Sequence, residues 1–192
     1  MSSCLNISKV KPISGGVYLF DTNVWLVILD GYYQKNYNKA YLDFFKTLIN
    51  NVFSKNPEIL MPSLLISEIV NRLIRDVYFK DFKIKNFHLP EIESSKAFKD
   101  IYRKDKQFNT DYKIIFQNIK AYQSRIKLID DNFGGYRLKD VLKDNSTNLD
   151  FNDYIYCKLA KKHNATIITN DIDFSGLSID ILTANKKLFT SP

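Results

Sequence analysis

Six carboxylates stand where chemistry could be done. Asp150 and Asp153 open a helical pattern whose apolar positions are Ile155, Leu159 and Ala160. Asp171 and Asp173 follow a short β-branched run, Ala165 to Thr169. Asp21 comes directly after the apolar run Val17 to Phe20, and Glu68 lies inside a long amphipathic stretch. Carboxylates gathered in one place ligate hard cations through oxygen, and single ones serve as general acids or bases. Each also has a structural explanation. Asp150 and Asp153 are spaced like a capping box, and acids in a first helical turn are favoured by the helix dipole. Asp171 and Asp173 suit a turn, Asp21 suits a helix N-cap, and Glu68 could pair with Arg72 four residues on. Spacing alone leaves both explanations open.

The elements that position these acids read as an alternation of strands and helices. Val17 to Phe20, Glu58 to Met61, Ile126 to Ile129, Ala165 to Thr169 and Ile179 to Leu182 have the short apolar character of buried strands. Tyr37 to Phe53 is a helix on its apolar period. A second, long helix runs from Pro62-Ser63 to about Phe79. Leu64 and Leu65 lie off its main apolar stripe, which covers both sides of its start and predicts a partly buried Glu68. Such a carboxylate needs a partner or a metal. From Lys80 to Thr110 charges of both signs mix with aromatics. A short helix is expected near Glu91 to Arg103, then another from Asp111 to Arg125. Gly134-Gly135 reads as a turn, Tyr136 to Lys143 as a short helix, and Asp144 to Asn148 as a polar loop. Asp150 or Asp153 begins the next helix, with Asp150 able to cap the N–H of Asn152 or Asp153. Asn164, a residue tolerated in the left-handed conformation, ends it.

Strands alternating with helices predict an α/β fold: a central parallel sheet of four to five short strands, helices on both faces and an extended helical middle. Ligands gather at the carboxyl ends of strands in such sheets, and Asp21, Glu68, Asp153 and Asp171 can all face that edge.

Composition sets outer limits. The 192 residues suit a single domain spanning 1–192, with a helical insertion at about 80–125. With 12 Tyr, 14 Phe and 45% apolar residues the chain folds rather than stays disordered. Its two cysteines, Cys4 and Cys157, form no metal or redox motif and fit a reducing compartment. The first residues lack the apolar centre of a signal peptide and no run is long enough to span a membrane, so a cytoplasmic location is expected. The net charge of +7 suits a polyanion such as nucleic acid, or simply a Lys-rich soluble protein.

Four segments together resemble a known family. Val-Tyr-Leu-Phe-Asp-Thr-Asn-Val-Trp (Val17 to Trp25) looks like the opening strand of the PIN-domain nucleases, VapC-like ribonucleases among them. Ser67-Glu68 resembles their second acid, Asp153 to His163 their helix that begins with an Asp, and Thr166 to Phe174 their strand that ends in Thr, an acid and a Phe. The resemblance implies a metal-dependent endoribonuclease in which Asp21, Glu68, Asp153 and Asp171 are catalytic. The same four with Asp173 would hold Mg²⁺ or Mn²⁺. Asn23, Thr169, Asn170 and Asp150 are supporting residues, Thr169 and Asn170 as groups that orient water or phosphate. The chemistry agrees, because facing carboxylates repel and stay ionised together only with a cation. Two such ions ~4 Å apart could share the work on a phosphate. RNA is then the substrate. The family holds both toxins, which pair with a small antitoxin protein, and housekeeping nucleases. A homodimer is left open, and no membrane partner is expected.

Rival chemistries find less support. His88 and His163 are the only histidines. No zinc spacing, nucleophile elbow or Gly-rich phosphate loop is present. A phosphatase with Asp21 as nucleophile would need a second acid two residues on, where Asn23 stands. A catalytically silent PIN-like module for RNA binding or protein interaction is the remaining alternative, and the intact acid set speaks against it.

Overall fold

The computed structural model describes residues 3–30, 39–131, 133–135, 137, 139 and 149–189. In chain order the strands are β1 (Cys4–Asn6), β2 (Val17–Phe20), β3 (Glu58–Pro62), β4 (Ile126–Ile129), β5 (Thr166–Ile168) and β6 (Ile181–Thr183). The helices are α1 (Thr22–Leu29), α2 (Lys39–Asn50), α3 (Ser63–Leu73), α4 (Phe79–Lys85), α5 (Ala97–Asp100), α6 (Lys106–Lys120) and α7 (Phe151–His163). The strands form one parallel sheet in the order β1-β6-β5-β2-β3-β4.

Tyr18, Leu19 and Phe20 are all buried although successive strand residues point to opposite faces, so both faces of the sheet are covered at β2. The direction of the crossovers explains how. The chain steps from β2 to β3 to β4 one way across the sheet and returns from β4 to β5 the other way. Right-handed crossovers therefore put α1, α2, α3 and α6 on one face and α7 on the other. The packing agrees: α1 touches α2, α3 and α6, while α7 lies on β2 and β5. Phe20, Trp25 and Phe45 meet on the first face, with ring centroids 5.7 to 5.9 Å apart.

Five strands fall where the sequence places them, and the sheet has one more than the four to five expected. The additional strand, β1, is three residues long. It exists through its pairing with β6, Cys4 opposite Ile181, and through the Asp180 carboxylate, which accepts the Ser3 N–H at 2.9 Å. Nothing local in Cys-Leu-Asn marks such a strand.

The long helix expected to end near Phe79 is interrupted instead. It passes through a single π-helical turn, Ile74–Tyr78, and continues as α4 to Lys85. The helix expected over 91–103 shrinks to α5 and a 3₁₀ turn, Tyr102–Lys104. Ahead of it the backbone closes short turns, Ser94 N–H to Glu91 and Ala97 N–H to Ser94, where two serines compete with helix formation. α6 begins five residues earlier than expected because Asp105 caps it through the Gln107 N–H at 2.7 Å. The aromatics of this region pack on one another: Tyr102 is buried among Phe79, Phe82, Phe98 and Phe108 at 4.9 to 5.8 Å. Phe133–Gly135 forms a 3₁₀ turn, whereas the expected helix over 136–143 and loop over 144–148 lie almost wholly outside the described residues. Among the described residues no helix is long and apolar enough to cross a membrane.

The start of α3 is tied down from a distance. Asp131, just past β4, accepts hydrogen bonds from the Ser63 hydroxyl and from the Leu64 N–H, the latter at 3.1 Å. This carboxylate caps the helix that carries Glu68. Replacing Asp131 with Ala should cost about 1 kcal/mol, as loss of a cap does. Chemical denaturation checks it, and an unchanged midpoint would contradict the capping role.

Candidate metal centre

Asp21 is the residue at which β2 becomes α1. Its N–H still donates to the Ile168 carbonyl at 2.9 Å, extending the pairing of β2 with β5 by one step. The carboxylate is buried, and its Oδ2 accepts the Thr169 hydroxyl at 2.7 Å and the Asn23 Nδ2 at 2.6 Å. Asn23 accepts the Asn170 N–H at 3.2 Å, and the Thr169 hydroxyl accepts the Asp171 N–H at 2.9 Å. One hydrogen-bonded net therefore joins the end of β2 to the end of β5. Thr169 is fully buried. Where water or phosphate was expected as its partner, its hydroxyl donates to Asp21.

Behind this net stands Tyr41, buried in α2. Its hydroxyl lies 3.0 Å from the Thr169 carbonyl, 3.1 Å from Asn170 Oδ1 and 2.9 Å from the Ala184 N–H, which donates to it. Asn185 donates its Nδ2 to the Asn170 carbonyl at 2.8 Å. Neither residue stood out in the sequence. Tyr41 reads there as one more apolar position of α2, and its hydroxyl offers no periodic signal.

Glu68, on α3, is half-buried as expected, and Arg72, four residues on, donates to Asp76 at 2.7 Å. Glu68 Oε2 accepts Asn152 Nδ2 at 2.9 Å and the Tyr156 hydroxyl at 2.8 Å, both from α7. Two helices on opposite faces of the sheet thus meet through one carboxylate. The spacing of Asn152 and Tyr156, one helical turn apart, is the signal that could have found them.

On α7 the two neighbouring acids divide their work. Asp150 caps the helix by accepting the Asp153 N–H at 2.9 Å. Asp153 is almost fully buried. Asp171 accepts the Asp173 N–H at 3.0 Å and so starts the 3₁₀ turn Ile172–Phe174. Asp21, Glu68, Asp150, Asp153 and Asp171 line a single open cleft of about 420 Å³, which also takes in Asn23, Asn170, Arg72 and Lys187. Asp173 is exposed and is not among the lining residues, so the structure does not bring it to the other acids.

The charges in this cleft oppose one another. Burial, then the neighbouring Glu68 and Asp171, push the Asp21 carboxyl up to about 7, against the pull of the Thr169 hydroxyl. Burial, followed by Asp21, Asp150, Asp171 and Glu68, pushes Asp153 up to about 8. Cys157 beside them is raised to about 12 by burial and by Asp153, which leaves its thiol inert. Among the described residues no three His, Cys, Asp or Glu side chains already stand as a ready-made metal site. The donor set nevertheless fits a hard divalent ion. It is all oxygen, it faces one cleft, and its repulsion is of the kind that such an ion reverses.

A parallel α/β domain with an acid-lined cleft at the carboxyl edge of its sheet is thus the class of protein defined here. The family model described as PIN domain matches residues 18–179, and the chain belongs to that family. Its members are in general nucleases that depend on divalent metal ions. No curated protein sequence matches the chain. Solved structures similar to it include two at 16% identity each. One is VapBC2 from Rickettsia felis bound to a DNA fragment from their promoter, with a TM-score of 0.48 over 87% of this chain and 98% of that one. The other is PAE2754 from Pyrobaculum aerophilum, with a TM-score of 0.46 over 93% and 96%.

The raised carboxyls set the sign of the pH dependence. Between the ordinary carboxyl value near 4 and the folded values of about 7 and about 8, the folded chain binds more protons than the unfolded one. Stability without metal should therefore fall as pH rises from about 4 to 8, and Asp21→Asn should flatten that fall. Melting temperatures in chelator across this range provide the check. A wild-type profile that rises over the window would contradict the repulsion.

Proposed function

We propose that this chain is a metal-dependent endoribonuclease, hydrolysing RNA phosphodiester bonds. The observation that carries the reading is the convergence of Asp21, Glu68, Asp153 and Asp171, from four separate elements, on one cleft. In this reading the four carboxylates hold Mg²⁺ or Mn²⁺. The ion, when bound, supplies positive charge at the phosphate and makes water more acidic.

The chain's own residues do the rest. Thr169 and Asn23 fix Asp21, so its outward oxygen has one orientation. Asn152 and Tyr156 fix Glu68 in the same way. Asp150 holds the first turn of α7 and with it the height of Asp153. Arg72 and Lys187, on the cleft wall, bring positive charge to the phosphates that flank the scissile one. The net charge of +7 favours approach of a polyanion. As a biological setting we propose the toxin half of a toxin–antitoxin pair in the cytoplasm, with a small antitoxin protein as partner. This setting rests on the resemblance of the four sequence segments to toxin-type members.

The division between Asp150 and Asp153 gives the test. Asp153→Asn should abolish cleavage of an RNA substrate in Mn²⁺ with little loss of stability in chelator. Asp150→Ala should lose its cap, cost roughly 0.5–2 kcal/mol, and keep substantial activity. Kinetics and melting of both variants decide it. An active Asp153→Asn, or an inert wild type that still binds RNA, would turn the reading toward a silent RNA-binding module.

A further inference from the structure

Asn170 follows Thr169 and precedes Asp171, where β5 has ended and the cleft begins. Residues beyond both neighbouring strands hold its backbone. Its N–H donates to Oδ1 of Asn23, which follows β2, at 3.2 Å. Its carbonyl accepts Nδ2 of Asn185, which follows β6, at 2.8 Å. Two asparagine side chains thus carry the hydrogen bonding of the sheet past the strand ends. Asn185 is itself fixed: its N–H donates to Thr183 Oγ1 at 3.0 Å and its Oδ1 accepts the Lys187 N–H at 3.1 Å.

The protons around the Tyr41 hydroxyl decide which way the Asn170 side chain faces. The Tyr41 oxygen accepts the Ala184 N–H at 2.9 Å. It also lies 3.2 Å from Oγ1 of Thr183, a fully buried hydroxyl whose oxygen already accepts the Asn185 N–H. A buried hydroxyl needs an acceptor for its own proton, and among the described residues Tyr41 provides it. Both lone pairs of the Tyr41 oxygen are then taken. To the Thr169 carbonyl at 3.0 Å and the Asn170 side chain at 3.1 Å it can only donate. Asn170 therefore turns its Oδ1 toward Tyr41, and its Nδ2 points away from α2. Among the described residues that nitrogen donates to none, although Asn170 is half-buried and lines the cleft. An amide nitrogen is no ligand for a hard cation, which takes oxygen. Its partner is an oxygen that bears negative charge, and the non-bridging oxygens of a phosphate are of that kind.

We propose that Asn170 Nδ2 is a fixed hydrogen-bond donor to a non-bridging oxygen of the phosphate in the cleft, with Tyr41 as the positioning residue that aims it. This rests on the nuclease reading above for the presence of that phosphate. The donor is neutral and reads no base. It differs in kind from Arg72 and Lys187, whose attraction is electrostatic and weakens with salt.

Equilibrium binding in Mn²⁺ tests it, read by anisotropy of a labelled oligoribonucleotide. The parent is the full chain carrying Asp153→Asn, so that the strand stays intact. Asn170→Ala should weaken binding about tenfold, the loss of one hydrogen bond to a charged group. The slope of affinity against salt should not change, because no charge is removed. Asn170→Asp keeps an oxygen toward Tyr41 and loses the N–H donors, so it should weaken binding at least as much. Tyr41→Phe should weaken binding less, and should cost nothing more once Asn170 is replaced by Ala. Calorimetric Mn²⁺ affinity of Asn170→Ala in the otherwise wild-type chain should equal that of the wild type. RNA affinity that survives either Asn170 change, an equal loss of Mn²⁺ affinity, or a parent that binds no oligoribonucleotide would each overturn the donor. Additive losses from Tyr41→Phe and Asn170→Ala would overturn the positioning role of Tyr41. Failure of the nuclease reading looks different: a wild type whose RNA binding depends on Asn170 yet which cleaves nothing in Mn²⁺. Binding independent of Asn170 with intact cleavage removes the donor alone.

Discussion

Asp21, Glu68, Asp153 and Asp171 are held in one cleft although each disfavours the charge of the others. Burial adds to that cost, most of all for Asp21, which sits at the end of a central strand. A fold built only for stability would place Asn or an apolar residue at Asp153, among the buried positions of α7. Removing one such charge relieves the repulsion felt by the others. Buried charges that repel one another in this way need a partner of opposite sign, which the proposed cation would supply.

The rest of the structure holds the carboxylates in this unfavourable geometry. The β2–β5 pairing runs on into Asp21, and the Thr169 and Asn23 side chains lock that residue's Oδ2. Tyr41 braces the opposite side of the net from the buried interior of α2. Glu68 is held across the sheet edge by α7, and the helix that carries it is capped from β4 by Asp131. Each support comes from a different element. A movement of any one of them changes the spacing of acids that others position. This is pre-organisation of a site by hydrogen bonds behind it rather than by the ligands themselves.

Much of this was legible in the sequence because it rests on local rules. Asp150 is the helix cap that its spacing to Asp153 suggested, and Asn164 takes the left-handed conformation, φ 50°, that ends α7. The acids after β2 and β5, the acid on α3 and the buried acid on α7 follow from strand ends and helix periods. What stayed hidden depends on partners far away in the chain. β1 exists by pairing with a strand more than 170 residues on, and Tyr41 becomes part of the site only through the backbone of Thr169 and Ala184. Asp173 stands apart from the other acids. It has the right type and nearness to Asp171, but its backbone N–H donates to Asp171 in a turn, and its exposed side chain is not among those that line the cleft. In the middle of the chain charges mix with aromatics, and only the packing around Tyr102 shows those rings to be a core.

The central claim is that the carboxylates act as one unit completed by a divalent cation. Calorimetric titration of Mn²⁺ into the chain near pH 7, repeated in buffers of different ionisation enthalpy, tests it most directly. With Asp21 and Asp153 raised to about 7 and about 8, a fraction of the sites is protonated at that pH. Binding should release protons, and the release should shrink in Asp153→Asn and vanish toward pH 9. Mn²⁺ binding with no proton release near pH 7, or no binding, would contradict the account.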